Sequence, residues 1–319
     1  MRALTVPHQS PVSLRQSGTA YGPRPLRHTL DRIAILNNSG HAPGERAHLT
    51  ALMADQWRAN GIEVIELSGT RTFVEADLLF LNLSRPVIPE EYRRFAAQYP
   101  VTFNAGASDL RKHHYADGLL RAGASYRGPV IVRADQGYAA PVPRASASPL
   151  TFIRRFSGQP RPTPRHEPAG SVLENYRIYP SINDVPADRF GPDYIVQKFL
   201  PEENAGRYVL RQYYFLGDES FLSLQTSGAA IIRAASPFSL EEWTPPEGLL
   251  NLRKRLGLDY GRIDFVEVEG QPFVISVSRS PALPDSKDAG YVPPAYLRLA
   301  EALADALVTV YSTSEKSVF

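Results

Sequence analysis

The stretch GLDYGRIDFVEVEGQPFVISVSRSP, residues 257–281, contains a carboxylate that could bind a cation, Asp264. Two β-rich runs flank a short Glu/Gly turn, which is typical of a hairpin, and Asp264 lies in the apolar part of the first run. A carboxylate is expensive to bury there unless it is paired or bound to a cation. The alternative is a solvent-facing or salt-bridged strand residue, because a half-buried strand has one polar face.

The length of the hairpin turn decides which residue lies opposite Asp264. A three-residue turn over 269–271 places Ser276 opposite Asp264 on the same face. A two-residue turn places Ile275 there instead, and then no shared site forms. Glu267 offers another carboxylate, but its position on the strand alternates away from Asp264.

Composition excludes several function classes. The chain has 319 residues, 35 basic and 33 acidic side chains and a net charge of +2, so no strong field favours nucleic acid or an acidic membrane surface. It has no cysteine, which excludes thiol catalysis, disulfides and cysteine-ligated metals. No run of 18 apolar residues is present, so no transmembrane helix is expected. We therefore expect a cytoplasmic protein without nucleic-acid or membrane partners.

The elements that position Asp264 follow an α/β pattern. Residues 1–30 contain no acidic residue and are expected to form a disordered arm. Short apolar strands and helices alternate over 31–107, which predicts a parallel α/β domain. Neither a GxGxxG nor a GxxxxGK[ST] loop is present, so the dinucleotide fingerprint and the P-loop are absent.

The remainder, 108–319, is predicted to be mostly strands with a few helices. A helix is expected from Ser108, and residues 139–170, rich in Pro, Ala, Ser and Arg, are expected to be a flexible segment. The predicted strands are GPVIVRAD (128–135), DYIVQKFLPEE (193–203) and RYVLRQYYFLGDESFLSLQTS (207–227). Helices are predicted over 246–257 and 293–312; the last is amphipathic and could pack internally or against a second subunit as a homodimer.

In this order, these strands and the hairpin resemble the ATP-grasp superfamily, whose members mostly join a carboxylate to an amine through an acyl-phosphate. VTFNAGASDLRKHH is similar to the family's entry helix with its first nucleotide-binding lysine. The likeness covers roughly residues 32–311. It implies an ATP-grasp-like α/β (α+β) fold, in which the N-terminal parallel domain (31–107) precedes two α+β subdomains within 108–319.

The resemblance also implies a role for individual residues. The residues expected to bind ATP are Lys112 and Arg133 at the phosphates, Gln197, Lys198, Phe199 and Leu200 around the adenine, and Glu202 or Glu203 at the ribose. Arg211 and Arg233 would neutralise the triphosphate during catalysis. Asp264 would bind Mg²⁺, with Ser276 and Ser278 at the positions of the other two ligands.

Three of these positions depart from the family pattern. Ser276 and Ser278 stand where the family has a carboxylate and an asparagine, and Mg²⁺ normally binds through one or two carboxylates. Arg133 stands where the family has a second phosphate-binding lysine. The metal site has therefore lost a formal charge.

Three functions follow. The first is an ATP-dependent carboxylate–amine ligase with a weakened magnesium site, acting on an unknown carboxylate or amine, which could be a peptide. The second is a degenerate ATP-grasp protein that binds nucleotide or peptide without catalysis. The third is a hydrolase that uses Ser276 or Ser278, which needs a His or Lys as general base, and the hairpin contains neither.

Overall fold

The computed structural model describes residues 29–40, 48–136, 176–232, 238–283 and 292–316. Three predicted features lie outside these residues: nearly all of the N-terminal arm, the 139–170 segment, and Arg233. The chain forms two compact units, a larger one that ends at Leu110 and resumes at Pro201, and a smaller one from Arg111 to Leu200. The domain boundary proposed from the sequence, at 107/108, stays a prediction.

The larger unit begins with a parallel sheet, as the alternation of strands and helices predicts. Its four strands lie in the order β2-β1-β3-β4: β1 is Arg32–Asn37, β2 Glu63–Ser68, β3 Leu78–Asn82 and β4 Thr102–Phe103. Two helices alternate with the strands, α1 (Leu49–Ala59) and α2 (Glu90–Ala96). Pro89 precedes α2, and Glu90 and Glu91 occupy its first turn, where negative charge stabilises a helix.

The smaller unit contains an antiparallel sheet of four strands. They lie in the order β5-β8-β6-β7: β5 is Leu119–Leu120, β6 Val130–Ala134, β7 Tyr176–Tyr179 and β8 Tyr194–Lys198. Val130, Val132, Tyr179 and Val196 form its core together with Ile182. Strands β6 and β8 are two of those predicted from the sequence.

The second part of the larger unit contains a six-stranded antiparallel sheet. Its strands are β9 (Glu202–Asn204), β10 (Arg207–Leu216), β11 (Glu219–Ser227), β12 (Phe238–Glu242), β13 (Tyr260–Val268) and β14 (Gln271–Ser278). The order is β12-β11-β10-β13-β14, and β9 pairs with β10. Helix α3 is Glu247–Leu256 and helix α4 is Pro294–Lys316. The predicted α/β class, with one parallel sheet and further antiparallel sheets, is confirmed.

One apolar core joins the two sheets of the larger unit. Trp57 of α1, Phe80 of β3, Tyr214 of β10 and Leu303 of α4 all belong to it and are fully buried. The indole Nε1 of Trp57 donates to the Ala304 carbonyl at 3.1 Å, which fixes α1 against α4. Of the helices in the described ranges, none is long and apolar enough to cross a membrane.

Asp264 pairs directly with Ser276, although the hairpin turn has only two residues. Glu269 and Gly270 form the turn, both with positive φ (52° and 74°), as a two-residue hairpin requires. The sequence predicts that such a turn places Ile275 opposite Asp264, and this prediction is wrong. A register shift between Asp264 and Phe265 inserts one extra residue in β14, and this bulge restores the pair with Ser276.

The prediction of a helix from Ser108 is also wrong, because the chain forms only a short 3₁₀ turn there, at Lys112–His114. The Ile88 amide donates to the Ser108 carbonyl at 2.8 Å, and the Leu110 amide donates to the Pro86 carbonyl at 2.8 Å. Backbone groups at 108–110 are therefore hydrogen-bonded to the segment 86–88 and are extended rather than helical.

The backbones of Gly106 and Gly257 touch where the parallel sheet meets the start of β13. Gly257 ends α3 in the left-handed conformation at φ 65°, and a Cβ on it would lie 2.7 Å from the carbonyl carbon of Gly106. Beside this contact, Asp259 Oδ2 accepts from the Asn104 amide at 2.7 Å, and Asn104 Oδ1 accepts from the amides of Asp259 and Tyr260 at 3.0 Å. The close approach of the two backbones therefore requires glycine at position 257.

We predict that Gly257→Ala lowers the free energy of unfolding by about 3 kcal/mol, since it combines a left-handed backbone with a clash against immobile backbone atoms. Gly270→Ala is the matched control: its φ is 74°, but nothing lies within 4 Å of the added Cβ, so we expect a cost of about 1 kcal/mol. Urea denaturation of both variants measures the difference. Equal losses in the free energy of unfolding would show that the contact with Gly106 does not add to the cost of Gly257→Ala.

Candidate functional site

The smaller unit buries two cations, Lys112 and Arg133, which interact although they come from different segments of the chain. Lys112 and Arg133 are each 3 % exposed. The Lys112 ammonium donates to the Ala134 carbonyl at 2.7 Å. Burial lowers the pKa of Lys112 to about 7; Arg133 acts in the same direction and Asp135 opposes it.

The carboxylate of Asp135 lies near Lys112 and binds His113. Asp135 is 2 % exposed; its Oδ1 accepts from the His113 amide at 2.9 Å and its Oδ2 lies 2.5 Å from His113 Nδ1. The Lys112 amide in turn donates to the Asp135 carbonyl at 3.3 Å. Asp135 thus contacts Lys112 through its backbone and His113 through its carboxylate.

Strand β8 places the predicted adenine-binding residues next to Arg133. Gln197 Oε1 accepts from Arg133 Nη1 at 3.0 Å, and Gln197 Nε2 donates to the Asp117 carbonyl at 2.8 Å. The ammonium of Lys198 lies 5.1 Å from the centre of the Tyr126 ring. The structure therefore brings Lys112, Arg133 and Gln197 together in one unit.

The next two predicted residues lie at the end of β8. The Lys198 amide donates to the Gly118 carbonyl and the Phe199 amide to the Pro129 carbonyl, both at 2.9 Å. Lys198, Phe199 and Leu200 are all half-buried, so their side chains keep some exposed surface. This short segment is therefore held by its backbone amides.

In the larger unit, one face of the hairpin carries a row of polar side chains across β10, β13 and β14. Gln212, Asp264 and Ser276 lie opposite one another, and so do Tyr214, Arg262 and Ser278 on the neighbouring row. Asp264 is 9 % exposed and Gln212 is 3 % exposed, so this face is largely buried. The predicted metal-binding residues Asp264, Ser276 and Ser278 therefore share one face.

The carboxylate of Asp264 is already engaged by side chains of this face. Arg262 Nη2 donates to Oδ2 at 3.0 Å, Arg262 Nε lies 2.8 Å from Oδ1, and Gln212 Nε2 donates to Oδ1 at 3.1 Å. Burial lowers the pKa of Arg262, but the charge of Asp264 and the Tyr214 hydroxyl raise it by more, so the guanidinium stays charged. Both oxygens of Asp264 thus face protein donors.

Arg211 lies on the opposite face of the same sheet, away from Asp264. Its Nη2 lies 2.8 Å from Glu202 Oε1 and 3.0 Å from Glu267 Oε2, and its Nε donates to both oxygens of Glu202. The hydrogen bond with Glu202 is the main reason why the pKa of Arg211 is raised. Glu203, the other predicted ribose ligand, is exposed and pairs with Tyr208 across the β9–β10 ladder.

The structure identifies participants that sequence reasoning missed. Arg262 could have been found, because it lies two positions before Asp264 and successive odd or even residues of a strand share a face. Gln212 required the pairing of β10 with β13. Asp135 and His113 give no comparable sequence signal, since their contact depends on how the 3₁₀ turn packs against β6.

No protein-family model matches this chain, and no curated protein matches its sequence. Among solved structures, it is similar to D-alanine–D-alanine ligase from Bacillus anthracis, with 11 % identity, coverage of 90 % of this chain and 99 % of that chain, and a TM-score of 0.42. It is similar to a RimK-domain ATP-grasp protein from Sphaerobacter thermophilus, with 13 % identity, coverage of 86 % and 98 %, and a TM-score of 0.42. It is also similar to the ATP-grasp ligase PsnB in complex with a minimal precursor, with 12 % identity, coverage of 88 % and 99 %, and a TM-score of 0.47.

Proposed function

We propose that the chain is an ATP-grasp-like protein that binds nucleotide but lacks the magnesium chemistry for ligation. The observation that supports this most directly is the engagement of Asp264 by Arg262 and Gln212. The protein would then act by recognition, and a nucleotide or a peptide would be its ligand. A homodimer stays a prediction.

Nucleotide binding rests on the buried cations of the smaller unit. Lys112 and Arg133 are both nearly inaccessible, and the like charge of Arg133 adds to burial in lowering the pKa of Lys112. A phosphate group beside Lys112 would favour its charged form and accept hydrogen bonds from it. Gln197, hydrogen-bonded to Arg133, links this pair to the segment predicted to contact adenine.

The side chains around Asp264 do not offer the ligands that a catalytic magnesium requires. Mg²⁺ requires near-octahedral oxygen ligands, usually with one or two carboxylates. The three predicted ligands offer one carboxylate and two neutral hydroxyls, while Arg262 places a positive charge within 3.0 Å of the carboxylate. A divalent cation at Asp264 would have to displace Arg262 and overcome its repulsion. Within the described part of the chain, no three His, Cys, Asp or Glu side chains are grouped so as to hold a metal.

The second candidate is an ATP-dependent carboxylate–amine ligase. It is favoured by one observation, the direct pairing of Asp264 with Ser276, which keeps the predicted ligands on a common face. In that reaction a carboxylate takes the terminal phosphoryl group of ATP, ADP leaves, and an amine then displaces phosphate from the acyl-phosphate. The substrates would be a carboxylate and an amine, one of which could belong to a peptide.

We predict that ATP raises the melting temperature by the same amount in EDTA as in excess magnesium, because binding stabilises the fold by mass action and the phosphate contacts are cationic side chains. Differential scanning fluorimetry with and without magnesium measures this, and ADP release is followed in parallel with candidate acids and amines. A magnesium-dependent shift together with ADP formation would establish the ligase instead. If ATP produces no shift in either condition, both proposals fail.

Restoring charge to the hairpin tests why metal binding is weak. We expect the double variant Ser276→Asp with Ser278→Asn to show a magnesium-dependent rise in melting temperature of a few degrees, because a second carboxylate then lies opposite Asp264. Gln271→Asp is the control, since it adds a carboxylate to the exposed start of β14, away from Asp264. An equal magnesium response in the control would show that the site at Asp264 is not responsible.

The lowered pKa of Lys112, about 7, predicts that nucleotide binding is pH-dependent. The neutral amine must take up a proton to bind phosphate, so affinity should fall by about tenfold for each pH unit above 7. Isothermal titration of ATP in EDTA between pH 7.5 and 9 measures the slope, and Lys112→Met should remove it. Lys254→Met changes an exposed lysine of α3 and should leave the slope unchanged. A parent protein without a slope would contradict a phosphate contact at Lys112.

A further inference from the structure

Arg279 is a buried arginine whose donors are mostly unused. It follows β14 directly and is 2 % exposed. Its Nη2 donates to the Pro86 carbonyl at 2.7 Å. Its Nε and Nη1 are buried and, in the described ranges, have no hydrogen-bond partner. Leaving charged donors unsatisfied in the interior is costly, so their presence requires an explanation.

The position of Arg279 is one at which α/β proteins bind ligands. Pro86 lies in the connection after β3, and the Arg279 carbonyl accepts from Asn104 Nδ2 at 3.4 Å, immediately after β4. Arg279 thus lies at the carboxyl edge of the parallel sheet. Ligands of open α/β sheets bind outside this edge.

Within the described ranges, the residues around Arg279 compensate its charge incompletely. Burial lowers the pKa of Arg279 to about 10, and the carboxylate of Asp109 opposes this shift without cancelling it. The neighbouring polar groups, the Pro86 carbonyl and the Asn104 side chain, are neutral. A negatively charged group at Arg279 would be stabilised both by the positive charge and by a hydrogen bond from one of the two unused nitrogens, Nε or Nη1.

Arg253 shows how this chain buries an arginine for structure alone. It is 3 % exposed, close to the value for Arg279. Its Nη1 donates to the Tyr213 hydroxyl and its Nη2 to the Gly217 carbonyl, both at 2.8 Å, and its guanidinium lies 3.9 Å from the centre of the Phe215 ring. Only its Nε lacks a hydrogen bond to the described residues. Among the described residues, the guanidinium of Arg279 makes one hydrogen bond, whereas that of Arg253 makes two and also packs on the Phe215 ring.

We propose that Arg279 binds the oxyanion of a ligand, a carboxylate or a phosphate group, at the carboxyl edge of the parallel sheet. Arginine pairs with such groups through two parallel N–H donors on one edge. Nε and Nη1 lie on different edges of the Arg279 guanidinium, and Nη2, which donates one hydrogen to Pro86, has a second hydrogen that completes one of these edges. Because neither donor nitrogen has exposed surface, the anion enters through a local opening of the packing. This site does not depend on the nucleotide proposed above, since it uses no residue of the smaller unit.

Thermal stability in different sodium salts tests the site. At 100 mM and matched ionic strength, phosphate or acetate should raise the melting temperature by roughly 2–5 °C more than chloride does, as expected for an anion bound with a millimolar Kd. The larger of the two shifts identifies the phosphate or the carboxylate class. No shift beyond that in chloride overturns the proposal.

Variants separate this site from other anion effects. The comparison is made in a Lys112→Met background, which removes a phosphate contact proposed for the smaller unit. In that background the anion-specific shift should persist, and adding Arg279→Met should abolish it, so the outcome is separate from the nucleotide proposal. If Arg279→Met does not fold, Arg279→Lys, which keeps the charge and loses the fork, should reduce the shift at least twofold. A shift that survives substitution of Arg279 contradicts the assignment.

The stability of the anion-free protein provides a second readout. Arg279→Met removes one hydrogen bond together with two unsatisfied donors, so its melting temperature in chloride should lie within about 3 °C of the parent. Arg253→Met removes two satisfied hydrogen bonds and a ring contact, so it should lower the melting temperature by more than about 5 °C. Equal losses would mean that Arg279 is structural, like Arg253.

Discussion

The hydrogen bonds between Asn104 and Asp259 fix how the two sheets of the larger unit meet. Asn104, at φ 63°, ends the parallel sheet, and its amide and side chain bind the residues that begin β13. Because these atoms are buried, no water can replace them if they separate. The start of β13 sets the position of Asp264, and Asn104 also holds the carbonyl of Arg279. Both groups of functional interest are therefore held by one reciprocal contact.

The charged side chains of the chain differ in how completely the protein itself satisfies them. Arg211 has two carboxylates, and Asp264 has a guanidinium and an amide, before any ligand is present. Lys112 and Arg279 are buried, and burial lowers their pKa values despite the opposing charges of Asp135 and Asp109. Side chains of the first kind stabilise the fold or keep a cation out, whereas those of the second kind are suited to anions. Anion recognition, rather than cation binding, is therefore the common property of the proposed sites.

Local patterns predicted most of the strands and helices, because alternation and capping act within a few residues. The pairing of Asp264 with Ser276 was among the predicted alternatives, but for a different reason: a two-residue turn and a bulge compensate each other. The ion pair of Arg262 and Asp264 was readable from their spacing. The separation of Arg211 from Asp264 on opposite faces follows from β10 pairing with β13, and the unused donors of Arg279 follow from packing around Pro86. Both features depend on contacts between residues that are distant in the sequence, so the sequence alone could not reveal them.

The packing of α1 against α4 has a consequence for how the chain folds during synthesis. The core that buries Trp57 and Phe80 is completed by residues near the other end of the described chain, up to Tyr311. The parallel sheet is synthesised first and α1 covers part of one of its faces, but this cover is completed only when α4, which begins nearly 200 residues after β4, leaves the ribosome. The smaller unit, whose segments are contiguous, has no such delay. Nascent chains should therefore engage chaperones through the early strands, and truncation before α4 should send the protein to degradation.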